Sequence, residues 1–186
     1  MSVTTDAIVL SLQPFSDKAH SLHVYTRAGG RVCYQVFGLG RRHPIGMYVP
    51  LSLLQLTTDT LSVRTAHLAY VPQTLVTDPN KRAIALFISE VLFHTLRYPM
   101  ADERMFDFIS DAVRRLDETK EPQNFHLQFL SDFAAHLGFA REEHKPEPVT
   151  RSERQQQLRE LCDYFAEHVE TWQQPKSLDI LMEVFD

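Results

Sequence analysis

Few residues in this sequence are spaced for catalysis. No Gly-x-Ser-x-Gly elbow, Walker-type phosphate loop or His-Glu-x-x-His pair occurs in its 186 residues. Gly38-Leu39-Gly40 follows a predicted strand, but the third glycine of a dinucleotide cradle is missing and no helix follows. Nine histidines invite a metal reading. His20 and His23, three apart on a predicted strand, point to opposite faces. His136, Glu142, Glu143 and His144 read as a solvated polar cluster at a helix end and linker. The two cysteines, Cys33 and Cys162, lie far apart with no Cys-x-x-Cys pair, and Cys33 reads as a small core residue. The expectation is a protein that is not an enzyme and needs no metal or cofactor.

The chemistry the residues do favour is the binding of polyanions. Arg27 and Arg31 flank the Gly29-Gly30 turn, so both guanidinium groups project from one end of a hairpin. Gly38-Leu39-Gly40-Arg41-Arg42-His43 forms a second basic element, a loop whose glycines let it follow a curved backbone. Arginine grips phosphate through paired N–H donors, and aromatic rings offer bases a stacking platform. The candidate phosphate contacts are Lys18, Arg27, Arg31, Arg41, Arg42 and Arg64, with Tyr25 and Tyr34 as stacking residues.

Five predicted strands carry these residues: 3–12, 20–27, 31–39, 51–58 and 61–68, each alternating apolar and polar positions. Leu22, Val24 and Thr26 share one face, as do Val32, Tyr34 and Val36, with Cys33, Gln35 and Phe37 opposite. Gln13-Pro14, Ala28-Gly29-Gly30, the 38–48 stretch and Thr58-Asp59-Thr60 read as breakers. Five short strands in so few residues suit a small barrel of the oligonucleotide-binding (OB) type. After Pro72 the period becomes helical. Asp78-Pro79 opens a helix that runs to Arg97. Two more span 102–118 and 123–137, the latter ended by Gly138. Residues 140–149 read as a linker, Thr150 or Ser152 caps a fourth helix to about Glu170, and Ser177 opens a short last one ending at Val184-Phe185. The expected architecture is α+β: an OB-type barrel over 1–72 followed by an all-helical domain over 73–186.

Charge is split in the same way. Residues 1–75 hold six basic groups against three acidic ones, so they carry +3, and the overall −5 leaves −8 for residues 76–186. Such asymmetry suits an electrostatically steered partner for the first half. Sparse cysteine use, together with the lack of a long apolar run or a signal-like N-terminus, suggests a cytoplasmic protein.

These motifs, taken in order, resemble the RecO family of recombination mediators in its Bacteroides-like form. The match begins at Asp6-Ala7-Ile8-Val9-Leu10 and Leu22-His23-Val24-Tyr25-Thr26. It continues through Val36-Phe37-Gly38-Leu39-Gly40-Arg41-Arg42, similar to the family's Lys-Gly-x-Arg loop with Phe37 where lysine is frequent. Pro50-Leu51-Ser52-Leu53-Leu54, the run from Lys81 to Leu92, the run from Asn124 to Leu130 and the run from Lys176 to Phe185 complete it. Two departures stand out. The four-cysteine zinc site of other branches is impossible here, and only about ten residues, 140–149, fill a gap that is usually longer.

The resemblance implies binding of single- and double-stranded DNA, annealing of complementary strands, and contact with the acidic tail of single-stranded-DNA-binding protein. It also implies cooperation with RecR in loading the recombinase. Lys81 and Arg82 are the candidate basic spot for the acidic tail. Two rivals come from other classes: an adaptor whose barrel binds a peptide or subunit, and a histidine-using hydrolase.

Overall fold

The computed structural model describes residues 2–141 and 147–184. Glu142, Glu143, His144 and Phe185, which figure in the readings above, lie outside the described residues. The chain divides into two units. One comprises the residues up to Pro72 with Leu96–Val113; the other comprises Gln73–Thr95 with the residues from Arg114 onward.

The first unit is built on a five-stranded antiparallel sheet: β1 (Val3–Ser16), β2 (Ala19–Thr26), β3 (Gly30–Phe37), β4 (Leu53–Thr58) and β5 (Val63–Leu68). The strand order is β3-β2-β1-β4-β5. The edge strands β3 and β5 meet through a single parallel bridge, Gln35 to Ser62, with the Gln35 amide donating to the Leu61 carbonyl at 2.7 Å. The sheet is thus coiled into the OB-type topology with a seam held at one point. Its interior holds Ala7, Val9, Leu22, Val24, Val36, Tyr48, Leu54, Leu56 and Val63, with Val32, Tyr34 and Leu39 packed against them. Period-2 alternation puts those side chains on the concave face.

Two sequence expectations need correction. Gln13-Pro14 does not end β1, which runs on to Ser16 with Pro14 opposite His20. Beyond Ile8 the β4 partner stops, so β1 pairs only with β2 there, and a proline without an N–H is tolerated beside an open edge. Cys33 is exposed, not core, because it shares the outward face of β3 with Phe37.

The second unit is helical: α1 (Pro79–Thr95), the end of α2 (Glu103–Glu118), α3 (Phe125–His136), α4 (Arg151–His168) and α5 (Leu178–Val184). α1 buries most of its circumference, including Ile84, Phe87, Ile88, Val91 and Leu92, and leaves one stripe with Arg82, Leu86, Glu90 and Phe93 more accessible. Phe129, Phe133 and Phe165 stack in series at 5.7 and 5.8 Å between centroids. Thr150 caps α4 through a full capping box with Glu153. Glu90 of α1 accepts from the Ser177 amide and hydroxyl, fixing the start of α5. Among the described residues, no helix is long and apolar enough to cross a membrane.

Candidate nucleic-acid interface

The hairpin register separates the expected basic residues into two groups. Thr26 pairs with Gly30, so Arg27 and Arg31 lie at one end of the sheet; Ala19 pairs with Phe37, so Lys18 and the 38–43 loop lie at the other. Arg64 lies on β5, two residues after the Ser62 that bridges to Gln35.

At the hairpin end the cations are engaged by protein. Arg27 donates to Asp107 at 2.5 Å, sits 3.8 Å from Asp6 and lies over the Phe106 ring at 4.5 Å. The Asp107 hydrogen bond raises the Arg27 pKa further above its ordinary value. Arg31 donates to the Leu96 carbonyl and to His23 Nδ1, both at 3.3 Å. Burial, with Arg31 as the second cause, lowers the His23 pKa, and burial lowers that of Arg31 itself. Tyr25 is 3% exposed on the outward face of β2, and burial pushes its phenol up to about 12. Gly30 fixes the geometry: its φ is +65°, and a Cβ there would lie 2.2 Å from the Met100 carbonyl oxygen.

The opposite end is different. Arg41 and Arg42 are exposed, and among the described residues no ion pair joins either side chain. Lys18 is exposed in the β1–β2 turn. The loop itself is ordered by its backbone: the Gly38 carbonyl accepts from the Arg41, Arg42 and His43 amides, and the Gly40 amide donates to the His43 carbonyl. Gly38 has φ +74°, while a Cβ there would meet only the Arg42 stem at 3.6 Å. Conformation, not space, therefore calls for glycine. Below the loop His43 is buried, its Nδ1 2.7 Å from the Tyr48 hydroxyl. Arg64 is exposed but paired with Asp59 at 2.8 Å.

The aromatics rearrange likewise. Tyr34 packs against the barrel core and Tyr25 is buried, whereas Phe15 and Phe37 are 68% and 50% exposed at the same end as the arginine loop. Phe15 was missed in the sequence, and Phe37, grouped there with Cys33 and Gln35, was not named as a stacking residue. Strand parity alone exposes Phe37, since it lies opposite in phase to the core residue Val36; Phe15 sits in an irregularity of the β1–β2 register.

In the helical unit, Lys81 is 3% exposed and donates to the Asp117 carbonyl and the Thr74 hydroxyl, both at 2.6 Å. The Asp117 carboxylate accepts from the Gln73, Thr74 and Leu75 amides. Arg82, one residue on, is exposed. Among the described residues no group of three or more His, Cys, Asp or Glu side chains is placed to hold a metal ion.

An OB-type five-stranded sheet followed by a bundle of helices defines the class. Comparison with known proteins narrows it. Residues 76–145 match the family model described as Recombination protein O C terminal. The chain is 31% identical over 150 residues to the DNA repair protein RecO of Porphyromonas gingivalis, an alignment covering 74% of this chain and 61% of that protein. It is 28% identical over 240 residues to the DNA repair protein RecO of Flavobacterium johnsoniae, covering all of each. Against the protein of the same name in Phocaeicola vulgatus it is 31% identical over 144 residues, 72% of this chain and 60% of that one. The chain thus spans about three-fifths of the Porphyromonas and Phocaeicola relatives. The chain is similar to RecO proteins, most directly over residues 76–145.

Proposed function

We propose that this chain is a non-enzymatic recombination mediator in DNA repair that binds and anneals single strands through the loop end of its barrel. The observation that carries this reading is the pair of exposed, unpaired guanidinium groups on the Arg41–Arg42 loop, with Lys18 and the exposed Phe15 and Phe37 at the same end. Cations neutralise phosphates and release their counterions, while exposed rings stack on bases whatever the sequence. Strands held this way stay mobile along their length, which favours pairing with a complement. Arg64 contributes after exchanging Asp59 for phosphate. Arg27 and Arg31 act mainly by holding the hairpin in place, and Tyr25 and Tyr34 by filling the unit.

The same reading gives double-stranded DNA, RecR and the acidic tail of single-stranded-DNA-binding protein as partners, with recombinase loading on the coated strand as the outcome. Docking of that tail rests on Arg82, since the Lys81 ammonium is occupied within its own unit. The deciding experiment is fluorescence polarisation with a labelled single strand across a salt series. Steep salt dependence supports the phosphate contacts, and a flat response overturns them. If no DNA binds at all, a protein-binding adaptor is the better account. A pull-down with the tail peptide, comparing the parent with Arg82→Glu, tests the docking part.

A further inference from the structure

We propose that His43 and Tyr48 form a positioning pair that holds the Arg41–Arg42 loop in a preset, phosphate-ready conformation. The inference rests on the DNA-binding reading above and adds the residues that make the loop competent. A segment with Gly38, Gly40 and Gly46 is intrinsically loose, and ordering it during binding would consume much of the affinity that two arginines supply. This loop is instead ordered from both sides. Above, three successive amides converge on the Gly38 carbonyl. Below, His43 is 6% exposed and bonded at 2.7 Å to Tyr48, which is 3% exposed and belongs to the barrel core. Tyr48 ends the 3₁₀ turn Ile45–Tyr48, so the pair ties the loop to the rigid interior rather than to another loop.

The charge state of the pair follows from the environment. Burial lowers the His43 pKa, with Arg42 as the second cause, and burial raises the Tyr48 phenol to about 12. Both groups are therefore neutral near pH 7. The bond forms in either neutral tautomer, with the Tyr48 O–H donating to the Nδ1 lone pair or the Nδ1–H donating to the Tyr48 oxygen. Removing the hydroxyl leaves a buried ring nitrogen without its hydrogen-bond partner, and the loop must distort or open to hydrate it.

The test uses the full chain with a labelled single strand and, separately, trypsin, which cuts after Arg41 and Arg42. Tyr48→Phe and His43→Ala should each weaken binding about fivefold with an unchanged salt slope, since the number of phosphate contacts is the same. His43→Asn, whose side-chain amide can accept or donate in the place of Nδ1, should restore binding to within about twofold of the parent. In the Arg41→Ala/Arg42→Ala background, Tyr48→Phe should add nothing. Trypsin should cleave the loop of Tyr48→Phe faster than that of the parent, while the circular-dichroism melting profile stays cooperative.

The inference is overturned if the double arginine variant loses affinity while Tyr48→Phe and His43→Ala bind as the parent does. It is equally overturned if the Tyr48→Phe loss persists undiminished without the arginines, because the pair would then be supporting the barrel in general. If the double arginine variant itself binds like the parent, the DNA reading of the loop falls first and the inference falls with it. Trypsin resistance in Tyr48→Phe equal to the parent's would remove the anchoring claim whatever the DNA results.

Discussion

Arg27 and Arg41 begin as equivalent candidates: both are arginines beside a glycine-containing turn, at the two ends of one small barrel. In the folded unit they part company. Arg27 lies over Phe106 with Asp107 and Asp6 as partners, and its neighbour Arg31 is drawn toward a backbone carbonyl and His23. Arg41 stands in solvent on a loop folded around a single carbonyl oxygen. A cation already satisfied by protein must exchange partners to meet a phosphate, whereas an unpaired one gains a partner outright. The difference teaches that positive charge identifies a nucleic-acid surface only after the anions of the fold itself have been counted.

The two glycine turns test this contrast most strongly. Gly30→Ala should lower stability by about 3 kcal/mol or more in urea denaturation, because both its φ and the Met100 carbonyl forbid a Cβ. Gly38→Ala meets only the conformational penalty and should cost about 1 kcal/mol. Equal losses at the two sites would undo the claim that one end is packed and the other open.

Next come the arginines. Arg41→Ala with Arg42→Ala should weaken single-strand binding about tenfold or more and flatten the salt slope by about 1.4, two contacts at about 0.7 each. Arg27→Ala should leave affinity within about twofold while lowering stability by about 1–2 kcal/mol, from a half-exposed ion pair and a cation–π contact. Reversal of those two outcomes in a polarisation assay and a urea melt would exchange the roles assigned to the ends.

Phe37→Ala sharpens the same comparison with a smaller effect. Loss of a stacking ring should reduce affinity for single strands about fivefold and leave duplex binding nearly unchanged. Tyr34→Phe, at a ring packed on the core, should leave both unchanged.

The smallest expected effect concerns pH. His23 titrates below its ordinary 6.5 in the fold, first through burial and then through Arg31. The unfolded chain therefore takes up the proton first as pH falls, so this contribution to stability is complete above pH 6.5 and declines below it. Urea midpoints between pH 7.5 and 5.5 should fall less in His23→Gln than in the parent. An identical slope in the two would show that the hairpin end does not sense this proton.

Much of the fold could be read from local pattern, because that is where its causes lie. Alternation in residues 20–27 and 31–37 sorted the side chains into their two faces without saying which was inward, and Asp78-Pro79 marked the start of α1. Pro14 misled because a proline's effect depends on whether a neighbouring strand is present, and β4 stops before reaching it. The site was less legible for a related reason. Asp107, which engages Arg27, lies 80 residues away, and the carbonyl that holds Lys81 comes from Asp117, 36 residues on. No spacing rule connects such pairs. Phe37, by contrast, was available from parity alone.

The single bridge between Gln35 and Ser62 bears on how the barrel forms and breathes. Every other strand contact is an extended antiparallel ladder between partners joined through the sheet, but this one closes a loop of 26 residues for one backbone link. With one backbone link and no ladder behind it, the seam is the place where local opening is easiest. The Gln35 amide should therefore exchange with solvent deuterium well before the amides of β1 and β2, through fluctuations far smaller than global unfolding. A barrel that can part at this line has room to widen there without losing its core.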